Sequence, residues 1–170
     1  MHERKFPCAA PLVRESVRMK VLPHTRSCFV CGESNPVGLK LLFHSDGRTV
    51  HTRFKPSPKH IGFKGVIHGG ILATLLDEIM VWACAVQSKR FTFCAEMSVR
   101  FLKPVRPDEE IIATGELVTN KRRLLEARAE LKNAAGEIVT TATGKYIPVP
   151  DSELMTMAED FVDDPRGTFE

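Results

Sequence analysis

Gly65-Val66-Ile67-His68-Gly69-Gly70 opens a run from Ile71 to Val86 in which only Thr74, Asp77 and Glu78 are polar. Sixteen residues without proline, framed by glycines at one end and a polar segment at the other, read as one long helix. A membrane span needs about 20 apolar residues and tolerates charge poorly at its centre, so the helix is expected to form the core of a globular domain. Burying an unpaired carboxylate is costly, and packing alone rarely places two in such a segment. Function is the first explanation to test for Asp77 and Glu78.

At 100° per residue the side of this helix opposite Asp77 carries Leu72, Leu75, Ile79, Trp82 and Val86. The side centred on Asp77 carries Gly70, Ala73, Thr74, Met80, Val81, Cys84 and Ser88. The large side is expected to pack on a sheet, and the smaller one to turn toward a ligand or a second subunit. Glu78 lies about 100° round from Asp77, so it is expected at the edge of that face, bonded to a basic group or water.

Outward from the helix the pattern is one of strands. Leu39–Phe43 and Val50–Phe54 flank Ser45-Asp46-Gly47-Arg48, a hairpin signal. Phe91, Phe93, Ala95, Met97, Val99 and Phe101 alternate with polar residues, as in a half-buried strand. Ile111–Thr119, Leu125–Leu131 and Ile138–Ile147 follow, joined by short polar turns that favour antiparallel neighbours. Residues 1–27 read as a charged, proline-broken leader with a short helix near Val13 to Lys20. Residues 151–170 read as an acidic tail with a short helix over Glu153 to Phe161, leaving 28–150 as the domain. A hairpin, one long helix and a meander of strands make an α+β layout in which an antiparallel sheet covers a single helix.

The helix start has its own chemistry. Glycines at Gly69 and Gly70 let another group approach the backbone, and the free N–H groups of a first turn favour developing negative charge. His68 stands where it can bond to the helix entry. Gly70 and Asp77 are separated by a rise of roughly 10 Å, too far for both to touch one reacting carbonyl. If two copies pack antiparallel, Asp77 of one reaches Gly70 of the other, so a two-fold dimer with composite sites is expected.

These residues resemble the hotdog-fold acyl-CoA thioesterases, specifically the phenylacetate-degradation (PaaI) type of the 4-hydroxybenzoyl-CoA thioesterase superfamily. The resemblance rests on Cys28-Phe29-Val30-Cys31-Gly32 with Asn35-Pro36-Val37-Gly38-Leu39, on Gly62 to Gly70, on Leu75-Leu76-Asp77-Glu78, and on Val99 to Pro104. It implies a central helix wrapped by five to six antiparallel strands, a homodimer or homotetramer, and hydrolysis of an acyl-CoA thioester without a cofactor. In that family the aspartate nine residues after the motif histidine is the general base or nucleophile, which maps to Asp77, and a glycine N–H polarises the carbonyl, which maps to Gly70. Many relatives have Thr or Ser where this chain has Cys94. The alternation points Cys94 away from the apolar face unless a bulge re-aims it. Gly62 stands where some relatives have a polar asparagine or glutamine, leaving His60 or a backbone group as a substitute. Arg100, Lys103 and Arg106 are candidates for the CoA phosphates, with Gly69 and Glu78 beside the substrate.

Composition excludes other classes. A formal charge of +3 gives no reason to expect nucleic acid, and five cysteines with only Cys28 and Cys31 close together suit a reducing cytoplasm. The start of the chain lacks the apolar core of a signal peptide, so neither secretion nor a membrane partner is expected. A single C-x-x-C lacks the second pair of a closed zinc site, so no metal is implied. The alternative function is a non-catalytic acyl-CoA-binding or protein-interaction module. A hotdog enoyl-CoA hydratase and a redox or metal module built on Cys28 and Cys31 are weaker alternatives.

Overall fold

His68 starts the long helix by leaving helical geometry and accepting the Gly70 N–H on its ring, so the helix begins at Gly69. Lys89, in the left-handed conformation with φ of 60°, ends it by donating its N–H to the Ala85 carbonyl. The computed structural model describes residues 19–163 and Pro165. In chain order the elements are β1 (Lys20–Val21), β2 (His44–Ser45), β3 (Thr49–Phe54), a 3-10 turn (Pro58–His60), α1 (Gly69–Ser88), β4 (Thr92–Phe101), β5 (Ile111–Asn120), β6 (Leu125–Asn133), β7 (Ile138–Pro148) and α2 (Asp151–Ala158). The sheet is antiparallel, in the order β1-β2-β3-β5-β6-β7-β4.

Seven strands exceed the five to six expected, because β1 and β2 are two-residue pairs too short to leave a periodic signal. The first hairpin arm also differs. Leu39–Phe43 is not a strand: Lys40 has φ of 55°, and Leu39 and Leu41 donate to Phe29 and Val30 instead of to a sheet partner. The short helix near Val13 lies outside the described residues, apart from its last two positions, which are not helical. Segments read as flanking the domain pack against one another: the Arg26 guanidinium donates to the Glu159 and Phe161 carbonyls, and Ser27 bonds Asp160.

Alternation in β5, β6 and β7 turns Ile111, Ala113, Leu125, Ala127, Leu131, Ala142 and Tyr146 toward α1, whose Leu72, Leu75, Leu76, Ile79 and Trp82 are buried against them. Although α1 is long and apolar enough to cross a membrane, this packing accounts for its composition. Met80 and Cys84, expected on the open side, are fully buried as well, because the curved sheet wraps more than half of the helix. What stays open is a narrow stripe through Gly70, Ala73, Thr74, Asp77 and Val81.

Helix and sheet come close together at Gly115, where an added Cβ would lie 2.9 Å from the Ile79 carbonyl oxygen. A backbone contact cannot yield as a side chain would. Gly115→Ala should therefore lower stability by about 1–3 kcal/mol, read as a lower urea midpoint with an unchanged slope. An unchanged midpoint would show that the layers separate freely.

Candidate active site

Asp77 stands at mid-helix on the open stripe, and its Oδ1 accepts a 3.0 Å hydrogen bond from the Tyr146 hydroxyl. Tyr146 is the only tyrosine in the chain and is fully buried. Its ring lies back over Gly144, where a Cβ would fall 2.6 Å from Cε2, so a glycine is what lets the hydroxyl reach the helix. Cys94 faces the same carboxylate and the same hydroxyl. Sheet register slips between Cys94 and Glu96, so the bulge that would re-aim this side chain is present. Desolvation, with the Asp77 charge adding to it, pushes the Cys94 thiol up to about 11. Burial and then Asp77 push the Tyr146 phenol up as well. Both groups keep their protons at neutral pH; Tyr146 donates to Asp77, and the Cys94 thiol stands near the same carboxylate.

Tyr146 was not singled out from the sequence. The available signal was a lone phenol on the inward side of an alternating strand, since a buried Tyr O–H needs a partner.

A thiol donates weakly, and a hydroxyl in the same place would donate better. Cys94→Ser is expected to keep or raise any activity that depends on Asp77, and Cys94→Ala to lower it by about 3- to 10-fold, the loss of one modest polar contact beside the carboxylate. Steady-state rates for the two variants, compared side by side, test this. Equal rates would remove Cys94 from the site.

The helix start forms a second half of the site. His68 Nδ1 takes up the Gly70 N–H at 2.8 Å, which leaves Gly69 to present the first amide of the helix. Gly69, His68, Gly62, Phe63, Phe101 and Lys103 line an open cleft of about 610 Å³. The Phe101 ring covers Gly69, where a Cβ would lie 3.1 Å from Cζ, and Gly62 packs on the His68 ring in the same manner. His60 is committed elsewhere: its ring accepts the Ser57 N–H and its carbonyl holds the His68 N–H, so it does not replace a polar residue at Gly62. Asp77 does not line this cleft.

Of the three candidate phosphate ligands, Arg100 and Arg106 are exposed beyond the cleft, and Lys103 at its rim is paired with Glu137 at 2.7 Å. Glu78 departs from its expected setting. Its carboxyl group turns away from the cleft toward the Cys28 thiol, 3.9 Å away, rather than to a basic group or open water.

One helix wrapped by an antiparallel sheet, with a carboxylate on the helix's single open stripe and an apolar cleft at its first turn, is the hotdog architecture. Residues 64–140 match the model of the Thioesterase superfamily, and the chain as a whole has the hotdog fold. It is 28% identical over 94 residues to acyl-coenzyme A thioesterase 13 of Mus musculus, a match covering 55% of this chain and 62% of the mouse protein. The chain thus spans somewhat under two thirds of the curated relatives it matches. Among solved structures it resembles the E. coli PaaI protein from the phenylacetic acid degradation operon, with 18% identity, TM-score 0.61, and coverage of 66% of this chain and 81% of that one. A Streptococcus pneumoniae hypothetical thioesterase protein with coenzyme A gives 24% identity, TM-score 0.57, and coverage of 60% and 82%.

Proposed function

We propose that the protein hydrolyses an acyl-CoA thioester to a free carboxylic acid and CoA. The observation that carries this reading is Asp77, a carboxylate on the one open stripe of a buried helix, oriented by the Tyr146 hydroxyl. Asp77 takes a proton from water as the water adds to the thioester carbonyl, or adds directly to form an anhydride that water then opens. In both routes the carbonyl oxygen becomes negative and needs a donor. With Gly70 capped by His68, the Gly69 N–H at the positive end of α1 fills that role, and the CoA sulfur leaves as the thiol. The similarity to acyl-coenzyme A thioesterase 13 and to a structure solved with coenzyme A supports this substrate class.

The two halves of the site meet through a dimer in this reading. Gly69 and Asp77 are separated by a rise of roughly 12 Å along one helix. Cys94, beside Asp77, lies near the start of β4, and Phe101, over Gly69, lies at its end. β4 is the outer strand of the sheet, and most of its side chains are exposed despite the alternation that predicted a half-buried strand, Phe93 and Phe101 included. A long, exposed edge strand with apolar side chains invites pairing. Antiparallel pairing of β4 with its copy about an axis at Ser98 sets the irregularity at Cys94 and Ala95 opposite Phe101 of the partner subunit, and so brings Asp77 toward the other chain's Gly69. Four free cysteines among the described residues suit the reducing cytoplasm in which we place the enzyme.

The test is CoA release, followed with a thiol reagent, across short, medium, long and aryl acyl-CoAs. Turnover on at least one class supports hydrolysis. Binding without release on every member favours a non-catalytic acyl-CoA module.

A further inference from the structure

The CoA chemistry leaves Cys28, Cys31 and Glu78 without a task, yet α1 and the segment before β2 bring them together. Cys28 Sγ, Cys31 Sγ and a Glu78 carboxylate oxygen all lie within 4.8 Å of one another, with Cys28 and Glu78 3.9 Å apart. We propose that these three side chains bind a zinc ion, with water completing a tetrahedral site.

Backbone geometry carries the argument first. Cys28-Phe29-Val30-Cys31-Gly32 forms a tight turn in which the Val30 and Cys31 N–H groups both donate to Cys28 Sγ, at 3.2 and 3.5 Å, and the Gly32 N–H donates to the Cys28 carbonyl. Two amides aimed at one sulfur orient it and stabilise it as a thiolate, the form that ligates metal. Gly32 is required by this turn, since a Cβ there would lie 2.2 Å from the Cys28 carbonyl oxygen. The following motif braces the turn from outside. Asn35 donates its amide to the Ser27 carbonyl, and the Leu39 and Leu41 N–H groups bond the Phe29 and Val30 carbonyls. The backbone thus holds the Cys28 sulfur in place, and the Thr25 hydroxyl lies 3.7 Å from the Cys31 sulfur.

Charge carries it second. The groups that act most strongly on Glu78 are the two thiols, Asp77 and the Trp82 indole, and among the described residues no salt bridge reaches it. Three acidic groups closed in together either keep protons or share a cation. A divalent ion would take the place of those protons. Sulfur at about 2.3 Å and oxygen at about 2.0 Å from zinc fit ligand atoms spaced as these are, and two thiolates with one carboxylate suit zinc better than the oxygen-seeking magnesium or calcium. Glu78 is the third ligand that the C-x-x-C lacked. Its place 50 residues along the chain kept it from view in the sequence. The ion would tie the Cys28 turn to α1, one residue from Asp77.

The full chain, purified under reducing conditions and loaded with zinc, should hold one zinc per chain by elemental analysis. Cobalt loading should give the sulfur-to-metal band and the intense visible bands of a tetrahedral thiolate site. Glu78→Gln, which preserves shape, should weaken zinc in competition with a chromophoric chelator by more than the roughly 10- to 100-fold typical of outer-shell changes, and Cys28→Ser should do so further. The cobalt spectrum of the wild-type chain reads the site even if a variant fails to fold. Absence of bound zinc with no cobalt–thiolate band overturns the proposal. So does zinc binding that Glu78→Gln and Cys28→Ser leave unchanged, or a chain that gives no such band and instead loses two hydrogens to a Cys28–Cys31 disulfide.

Discussion

Asp77→Asn is expected to lower acyl-CoA hydrolysis by roughly a hundred- to ten-thousand-fold, the range set by losing a positioned general base, while the protein stays folded. The amide is nearly the same size, and its oxygen still accepts the Tyr146 hydroxyl, so the hydrogen bond that positions the side chain survives. What is lost is the negative charge that removes a proton from water or attacks the carbonyl. CoA release measures the rate, and far-UV circular dichroism with sedimentation confirms the unchanged fold. A rate within tenfold of wild type would end the case for Asp77. A single turnover in isotopically labelled water separates the two routes: label appears in the Asp77 side chain only if the carboxylate itself attacked and water then opened the anhydride at that carbonyl.

Asp77 was legible as the candidate for the chemistry because the long apolar segment made its carboxylate an exception. The four long strands of the meander were legible for a related reason: alternation in Thr92–Phe101, Ile111–Asn120, Leu125–Asn133 and Ile138–Pro148 reports a sheet with one covered face. Features that depend on three-dimensional juxtaposition were not legible. Tyr146 reaches Asp77 across 69 positions of sequence, and its route depends on the small residue at Gly144. His68 could be read as an entry residue, but that its ring would occupy the Gly70 amide and shift attention to Gly69 follows only from the side-chain geometry. Leu39–Phe43 looked like a strand because apolar runs look alike whether they pair in a sheet or cover a turn. Lys40, at positive φ, breaks the extension there without the glycine that would have announced it.

The second large effect is a gain of activity from two dead proteins. Take Asp77→Asn and Gly69→Val, the latter placing a branched side chain where a Cβ already meets the Phe101 ring at 3.1 Å, so that it fills the approach to the helix's first amide. Each homodimer should be inactive, one for want of the carboxylate and the other for want of access to the donor. In a mixed dimer, made by co-expression with two tags and isolated by tandem purification, one composite site receives both defects and the other receives neither. About half of the wild-type turnover per dimer should return, since one of two sites is whole. If each chain instead built its site from its own Asp77 and Gly69, every site in the mixed dimer would keep one defect and no activity would return. The two arrangements predict opposite results from the same preparation. The β4 pairing that sets the irregularity at Cys94 and Ala95 opposite Phe101 of the partner subunit requires the first, and a mixed dimer as dead as its parents would exclude it.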